Sequence, residues 1–220
     1  SLVSPAVNFV ITMGGEVRFN HRLKCAHKIN DTVTALEFGH DQIELSDNDC
    51  VISTVPPALA QEMFGGIDGP DAFSPIVNGH FRLKQAFNVP PLLGVIGGTA
   101  EWLFSRGDVV SVTASAAASL VDLPSATIAM RFWADIQAAY GLVGVSMPPF
   151  RIVKEKRATF LQTPDQLRRR PDRRTRWRNL YLAGDWTATG LPATIEGSIR
   201  SGAAAASAAL EQVNKMSGST

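Results

Sequence analysis

In this 220-residue chain Gly184 and Asp185 close the apolar run NLYLA, and Pro192, Ala193, Thr194 and Ile195 open a stretch of small residues just beyond. A carboxylate at the end of such a run suits a ligand rich in hydroxyls, because open α/β sheets place their ligands beyond the carboxyl ends of their strands. Gly184 has no side chain and lets another group approach the backbone closely. Pro192 presets the backbone angle for a helix, and a first turn made by Ala193, Thr194 and Ile195 leaves amides without intrahelical partners. Together with the helix dipole, those amides attract an anion or an electron-rich carbonyl. Gly197, Ser198, Ser201, Gly202 and Ala203 are small enough for the helix, expected over 193–213, to lie tightly against a sheet or a ligand. A bare Ala-Gly-Asp reads as a turn former. The ordered string of strand, acid, proline-led helix and small helical face is more specific.

The elements that must position these groups follow from the patterning. Between residues 17 and 57 the runs EVRFN, RLKCAHKI, TVTALEF, DQIEL and CVISTV alternate with INDT, GHD and SDND, which predicts an antiparallel meander followed by one apolar strand. Pro56 and Pro57 remove two backbone donors and stop that strand, and PALAQEMF reads as a helix. The opening segment SPAVNFVITMGGEVRFN reads as extended and as an internal start, as expected of a fragment or a processed product. GGIDGPDAFSP is a loop, and IVNGHFRLKQAF, LGVIGG, EWLF and DVVSVTASAA read as further strands. Ile128, Phe132, Ile136 and Tyr140 fall four apart in SATIAMRFWADIQAAYGL, a helical period with Ser125 as a candidate cap. PPFRIVKEKRATF returns to extended structure. The expected class is α/β (α+β), an α+β layer joined to a smaller α/β element built from both ends of the chain.

Composition excludes several functions. With 21 Lys plus Arg against 20 Asp plus Glu, the net charge of +1 gives no global field for nucleic acid. Cys25 and Cys50 are too few and too isolated for a disulfide framework or a zinc site, which leaves two buried thiols in a reducing compartment. His21, His27, His40 and His80 show no metal spacing, so no metal is expected, and there is no G-x-S-x-G for a hydrolase. No run approaches about twenty apolar residues, and no basic-then-apolar leader is visible, so a soluble or peripheral, cytoplasmic protein is expected. RRRPDRRTRWR, residues 168–178, carries seven arginines in eleven residues. Its two readings are a solvated loop and a patch for diphosphate or anionic lipid at the inner membrane face. Trp102, Phe104, Phe132 and Trp133 read either as core or as the lining of a hydrocarbon tunnel.

NLYLAGDWTATGLPATIEGSIRSGAAAA closely resembles the carboxyl-terminal FAD-binding motif of the flavin-containing amine oxidase and phytoene desaturase superfamily, and within it the squalene-associated FAD-dependent desaturases of hopanoid pathways. GGEVRFNHRLKCAHKI is similar to the family's Gly-Gly stretch and adenine-side strand, CVISTVPP to its strand ending in Pro-Pro, and SPIVNGHFRL with EWLFSRG to its substrate-domain strands. The resemblance implies a Rossmann-like flavoprotein fold with a mixed or antiparallel substrate sheet. It divides the chain into a partial FAD-binding domain (1–60), a substrate domain (61–160) and the closing strand-loop-helix (161–220). It further implies that Gly184 and Asp185 serve the ribityl or pyrophosphate region, that Pro192, Ala193, Thr194 and Ile195 lie at the isoalloxazine ring, that Leu23 offers backbone contacts on the adenine side, and that Val55 lies near the cofactor. A flavin, with negative charge near N1 and the C2 carbonyl when reduced, matches the helix start. No catalytic side chain is implied, since the flavin carries the hydride chemistry.

The family's opening G-x-G-x-x-G is absent, and GGIDG at 65–69 has the wrong spacing. The chain therefore resembles the carboxyl-terminal half of an enzyme, which need not hold FAD alone. An isoprenoid lipid is the implied substrate. An FAD-dependent amine oxidase and a flavin-free binding or membrane-contact module are the alternatives, and a homodimer would cover apolar surface left by an incomplete site.

Overall fold

The computed structural model describes residues 3–217 other than residue 143. These divide into two compact units, one formed by 1–69 with 169–220 and the other by 70–168. The first unit opens with helix α1 (Val3–Thr12), not with an extended segment. Pro5 falls in the first turn, where its missing N–H is no loss, and the alternation of Val, Phe and Ile that suggests a strand is carried on a helix with no buried residue. Residues 16–20, expected as a strand, form none. Arg18 donates to both carboxylate oxygens of Glu16 at 2.7 and 2.8 Å, and Asn20 takes a positive φ of 57°.

Strands β1 (Cys25–Ile29), β2 (Thr32–Phe38) and β3 (Asp41–Glu44) form the expected antiparallel meander. Asn30, at φ 54°, and Asp31 make the tight turn between the first two, a conformation asparagine tolerates. Strand β4 (Val51–Ser53) ends before the double proline. Pro57 then takes the first position of helix α2 (Pro57–Phe64), as its fixed φ favours.

The second unit contains β5 (Phe73–Arg82), β6 (Leu92–Gly94), β7 (Trp102–Arg106), β8 (Val109–Ala114), helix α3 (Ser125–Tyr140), β9 (Phe150–Phe160) and the short helix α4 (Pro164–Arg168). Its five strands lie in the order β6-β7-β8-β5-β9, antiparallel throughout. Val110, Val112 and Ala114 alternate inward from β8, and α3 buries Ile128, Phe132 and Ile136 in the same core. Gly79 is required beneath α3, because a Cβ there would come 2.8 Å from the Phe132 ring. Ser125 does not cap α3. Pro124 occupies that position and offers no side-chain acceptor. Gly141, left-handed at φ 66°, ends the helix. At the two ends of the unit Gln166 is buried, its Oε1 accepting from the Asp71 and Ala72 amides and its Nε2 donating to Asp71 at 2.8 Å.

The chain then re-enters the first unit as β10 (Leu180–Leu182) and helix α5 (Ile195–Ser217). β10 pairs with β4 in parallel, Leu180 opposite Val51 and Leu182 opposite Ser53. Parallel neighbours need a crossover, and the whole second unit lies within this one. Asn179 ties β10 to the meander, exchanging bonds of 2.9 Å with the amide and carbonyl of Val33. Among the described residues no helix is long and apolar enough to cross a membrane.

Candidate functional site

Because β4 and β10 are parallel, their carboxyl ends face the same way, and Gly184 follows β10 there. Its φ is 139°, where L side chains are strained, and a Cβ would meet Trp186 Nε1 at 2.6 Å. The Gly184 amide donates to Ser201 Oγ at 2.7 Å, and Trp186 Nε1 donates to the Val55 carbonyl at 3.1 Å. Thr187 returns to the Gly184 carbonyl through its amide and its hydroxyl. Gly184, Asp185 and Val55 are thus brought together at one strand end.

Asp185 is partly buried. Burial raises its carboxyl above the usual aspartate range, against the pull of the Trp186 amide and the Arg170 guanidinium. Arg170 holds the following loop in shape, donating to the carbonyls of Leu191 and Asp185 and to Thr189 Oγ1 at 2.7–2.8 Å. Its guanidinium fork serves three acceptors at once, a geometry lysine lacks.

The helix begins at Ile195, not Ala193. Thr194 is its cap, the hydroxyl accepting from the Gly197 amide at 3.0 Å and the carbonyl from Ser198. Pro192 and Ala193 therefore lie in the approach to the helix, and the amides of Ile195 and Glu196 have no partner among the described residues. Of the small residues, Gly197 and Ser201 are buried in line with Ala205, Ala208 and Ala209, while Ser198 and Ala203 are exposed. Ala205, Ala208 and Ala209 pack with Tyr181 and Ala183, so the small face lets α5 lie against β10. Leu23 precedes β1, partly buried, and no hydrogen bond among the described residues joins it to the strand end.

The donor set fits a flavin nucleotide: a carboxylate for hydroxyls, two free amides at a helix start, and a buried Ser53 Oγ at the end of β4 that has no partner among the described residues. Sequence reasoning missed Arg170, Thr189 and Trp186. Arg170 is masked by the arginines around it, and nothing in their linear pattern distinguishes it.

The basic run is stapled to the fold. Arg174 pairs with Glu211 at 2.8 Å and lies over Tyr181, Arg178 pairs with Asp47, and Arg176 covers Trp177, which is buried. In the second unit Phe132 and Trp133 belong to the core, while Trp102 is 47% exposed, so these aromatics do not share one lining. Cys25, His27 and Glu37 meet across the β1–β2 pair, a grouping that the linear spacing of cysteine and histidine does not reveal.

A parallel strand end with a carboxylate, a capped helix start and an inserted antiparallel unit define a class. The chain belongs to the flavin containing amine oxidoreductase family, whose model matches residues 8–210. Within that class it is similar to proteins named hydroxysqualene dehydroxylase: 45% identical over 213 residues to that of Sinorhizobium fredii, covering 97% of this chain and 51% of the relative. The Rhodopseudomonas palustris protein of the same name is 46% identical over 206 residues, 93% of this chain and 49% of the relative. The chain spans about half the length of the curated relatives it matches. Its fold is shared with an oxidoreductase from Methanosarcina mazei (TM-score 0.68, 12% identity, 92% of this chain and 53% of that one) and with cyclohexylamine oxidase from Brevibacterium oxydans (0.63, 12%, 88% and 49%).

Proposed function

We propose that the chain supplies the carboxyl-terminal half of an FAD-dependent oxidoreductase acting on an isoprenoid lipid of the hydroxysqualene type. The observation that carries this reading is the 43–46% identity to proteins named for that reaction, spread over nearly the whole chain. The amine-oxidase alternative has weaker support, since the amine oxidase of similar fold is 12% identical. A flavin-free module gives no reason for a glycine-only backbone at Gly184 next to an ionisable carboxylate held where burial opposes its charge.

In this reading the first unit holds the cofactor and the second faces the substrate. Asp185 accepts hydroxyls of the ribityl or pyrophosphate region, with Gly184 making room. The helix start reached through Pro192, Ala193, Thr194 and Ile195 presents its free amides to the electron-rich edge of the ring. Val55 lines the end of β4, and Leu23 offers backbone on the adenine side. Arg170 and Trp186 are positioning residues that hold the loop and strand end. The bound flavin would supply the hydride chemistry at N5.

The exposed apolar side chains of α1, with Ile195, Ile199 and Leu210 of α5, are where the rest of a relative-length protein would pack, a second copy being the alternative. A cytoplasmic enzyme with a lipid substrate would meet the inner membrane face, and anionic headgroups would there compete with Asp165 and Asp172 for the exposed guanidiniums of Arg168 and Arg173.

The test joins this chain to the part of the Sinorhizobium fredii relative that the match leaves uncovered. We expect the purified hybrid to carry flavin and to turn over hydroxysqualene but not cyclohexylamine. Turnover of the amine alone would move the assignment to the amine oxidases, and a colourless folded hybrid that takes up no added FAD would sink it.

A further inference from the structure

We propose that Cys25, His27 and Glu37 form a site for a borderline divalent cation, of which zinc is the natural example, on one face of the β1–β2 pair. The function proposed above does not require it.

Cys25 and His27 stand two residues apart on β1 and so share a face, and Glu37 on β2 is the direct partner of Cys25. Cys25 Sγ donates to Glu37 Oε2 at 3.5 Å, and His27 Nε2 lies 3.2 Å from the same oxygen. All three donor atoms fall within 4.8 Å of one another. With Zn–S of about 2.3 Å and Zn–N or Zn–O of about 2.0–2.2 Å, a tetrahedral zinc holds its ligand atoms about 3.3–3.6 Å apart. The sulfur–oxygen and nitrogen–oxygen separations therefore lie close to the edges of a zinc tetrahedron. A register shift between His27 and Lys28 marks a bulge just after the imidazole, the kind of irregularity that re-aims a side chain.

The chemistry of the donors narrows the choice of ion. Thiolate and imidazole with one carboxylate favour zinc and its congeners over magnesium or calcium, which want oxygen alone. Three protein ligands at a partly exposed surface leave the fourth position to water. Lys24 and Lys28 stand near the thiol, and Lys24 near the carboxylate as well, so they oppose a cation and moderate its affinity. Burial and the hydrogen bond to Glu37 hold the Cys25 thiol above the usual range. That argues against a nucleophile, which needs a thiol pushed the other way. It also means that the ion must displace the thiol proton, which passes to solvent as the sulfur–metal bond forms. A bound ion would then bridge the two strands.

The test uses the 220-residue chain with zinc and cobalt(II). We expect one zinc per chain by calorimetry, a thiolate-to-cobalt charge-transfer band in the near ultraviolet, and a zinc-dependent rise in Tm. Cys25→Ser, His27→Ala and Glu37→Gln should each weaken zinc by at least about tenfold, the scale on which even outer partners of a metal act. Cys25→Ser should abolish the cobalt band, and Cys50→Ser should change nothing. Circular dichroism of each variant checks that the fold is kept. No stoichiometric zinc, zinc affinity unaltered by Cys25→Ser in a folded chain, or binding lost with Cys50→Ser would each overturn the proposal and leave the three residues as a hydrogen-bonded group only.

Discussion

The core of the second unit and the closing strand, loop and helix of the first are held by different mixtures of interactions. Beneath the five-stranded sheet the core is large and apolar: Phe81, Leu103, Ile128, Phe132 and Ile136 are fully buried, so removal of apolar area from water is a major stabilising contribution. β10 itself is buried through Leu180, Tyr181 and Leu182, helix α5 meets it with alanines, and the loop beyond it is shaped by hydrogen bonds from Arg170, Trp186, Thr187 and Ser201. The first arrangement is stable and presents little chemistry. The second adds to a buried strand a hydrogen-bonded loop that holds a half-buried carboxylate near the exposed start of a helix.

That contrast can be broken most forcefully in the second unit. Phe132→Ala removes a fully buried ring and should cost about 3–5 kcal/mol in urea unfolding, with faster hydrogen exchange confined to residues 70–168. Equal loss of protection at β4 and β10 would show that the two regions do not differ as described. Gly184→Ala should cost about 2 kcal/mol, from the strained φ and from displacement of Trp186, although it adds only a methyl group. A neutral or stabilising result in thermal unfolding would contradict the strand-end geometry. Thr194→Ala should cost about 1 kcal/mol, the worth of a helix cap, in the same measurement.

The smallest effect sharpens the comparison by its sign. Because burial raises the Asp185 carboxyl, the folded chain binds a proton more readily than the unfolded chain. Stability from this group therefore falls as pH rises from the ordinary aspartate range to the raised value, and it stays lower above that. Asp185→Asn should thus slightly raise Tm at neutral pH and flatten its dependence on mild acid. A lower Tm at pH 7 would mean that the charge stabilises the loop.

Much of this architecture was legible in the chain. The period of Ile128, Phe132 and Ile136, the turn residues of the meander, and Pro57 at a helix start are local signals, and local structure obeyed them. Residues 3–12 were misread because their β-branched and aromatic alternation resembles a strand, whereas a proline in the first turn suits a helix equally well. The start of α5 moved from Ala193 to Ile195 because the Thr194 hydroxyl closes on Gly197, and propensity alone does not locate a cap to the residue. Gly184 and Asp185 were readable as a motif. Arg170 was not, since its value lies in three acceptors brought to it by the loop, and the meeting of Cys25, His27 and Glu37 depends on strand register.

The central claim is that the strand end at Asp185 and the helix start at Ile195 hold a flavin nucleotide. Equilibrium dialysis of FAD against the hybrid protein and its Asp185→Ala variant tests it most directly. The account predicts a folded variant whose affinity for FAD is weaker by at least about tenfold, as loss of a hydrogen bond to a charged group entails. Undiminished FAD affinity in that variant would contradict it.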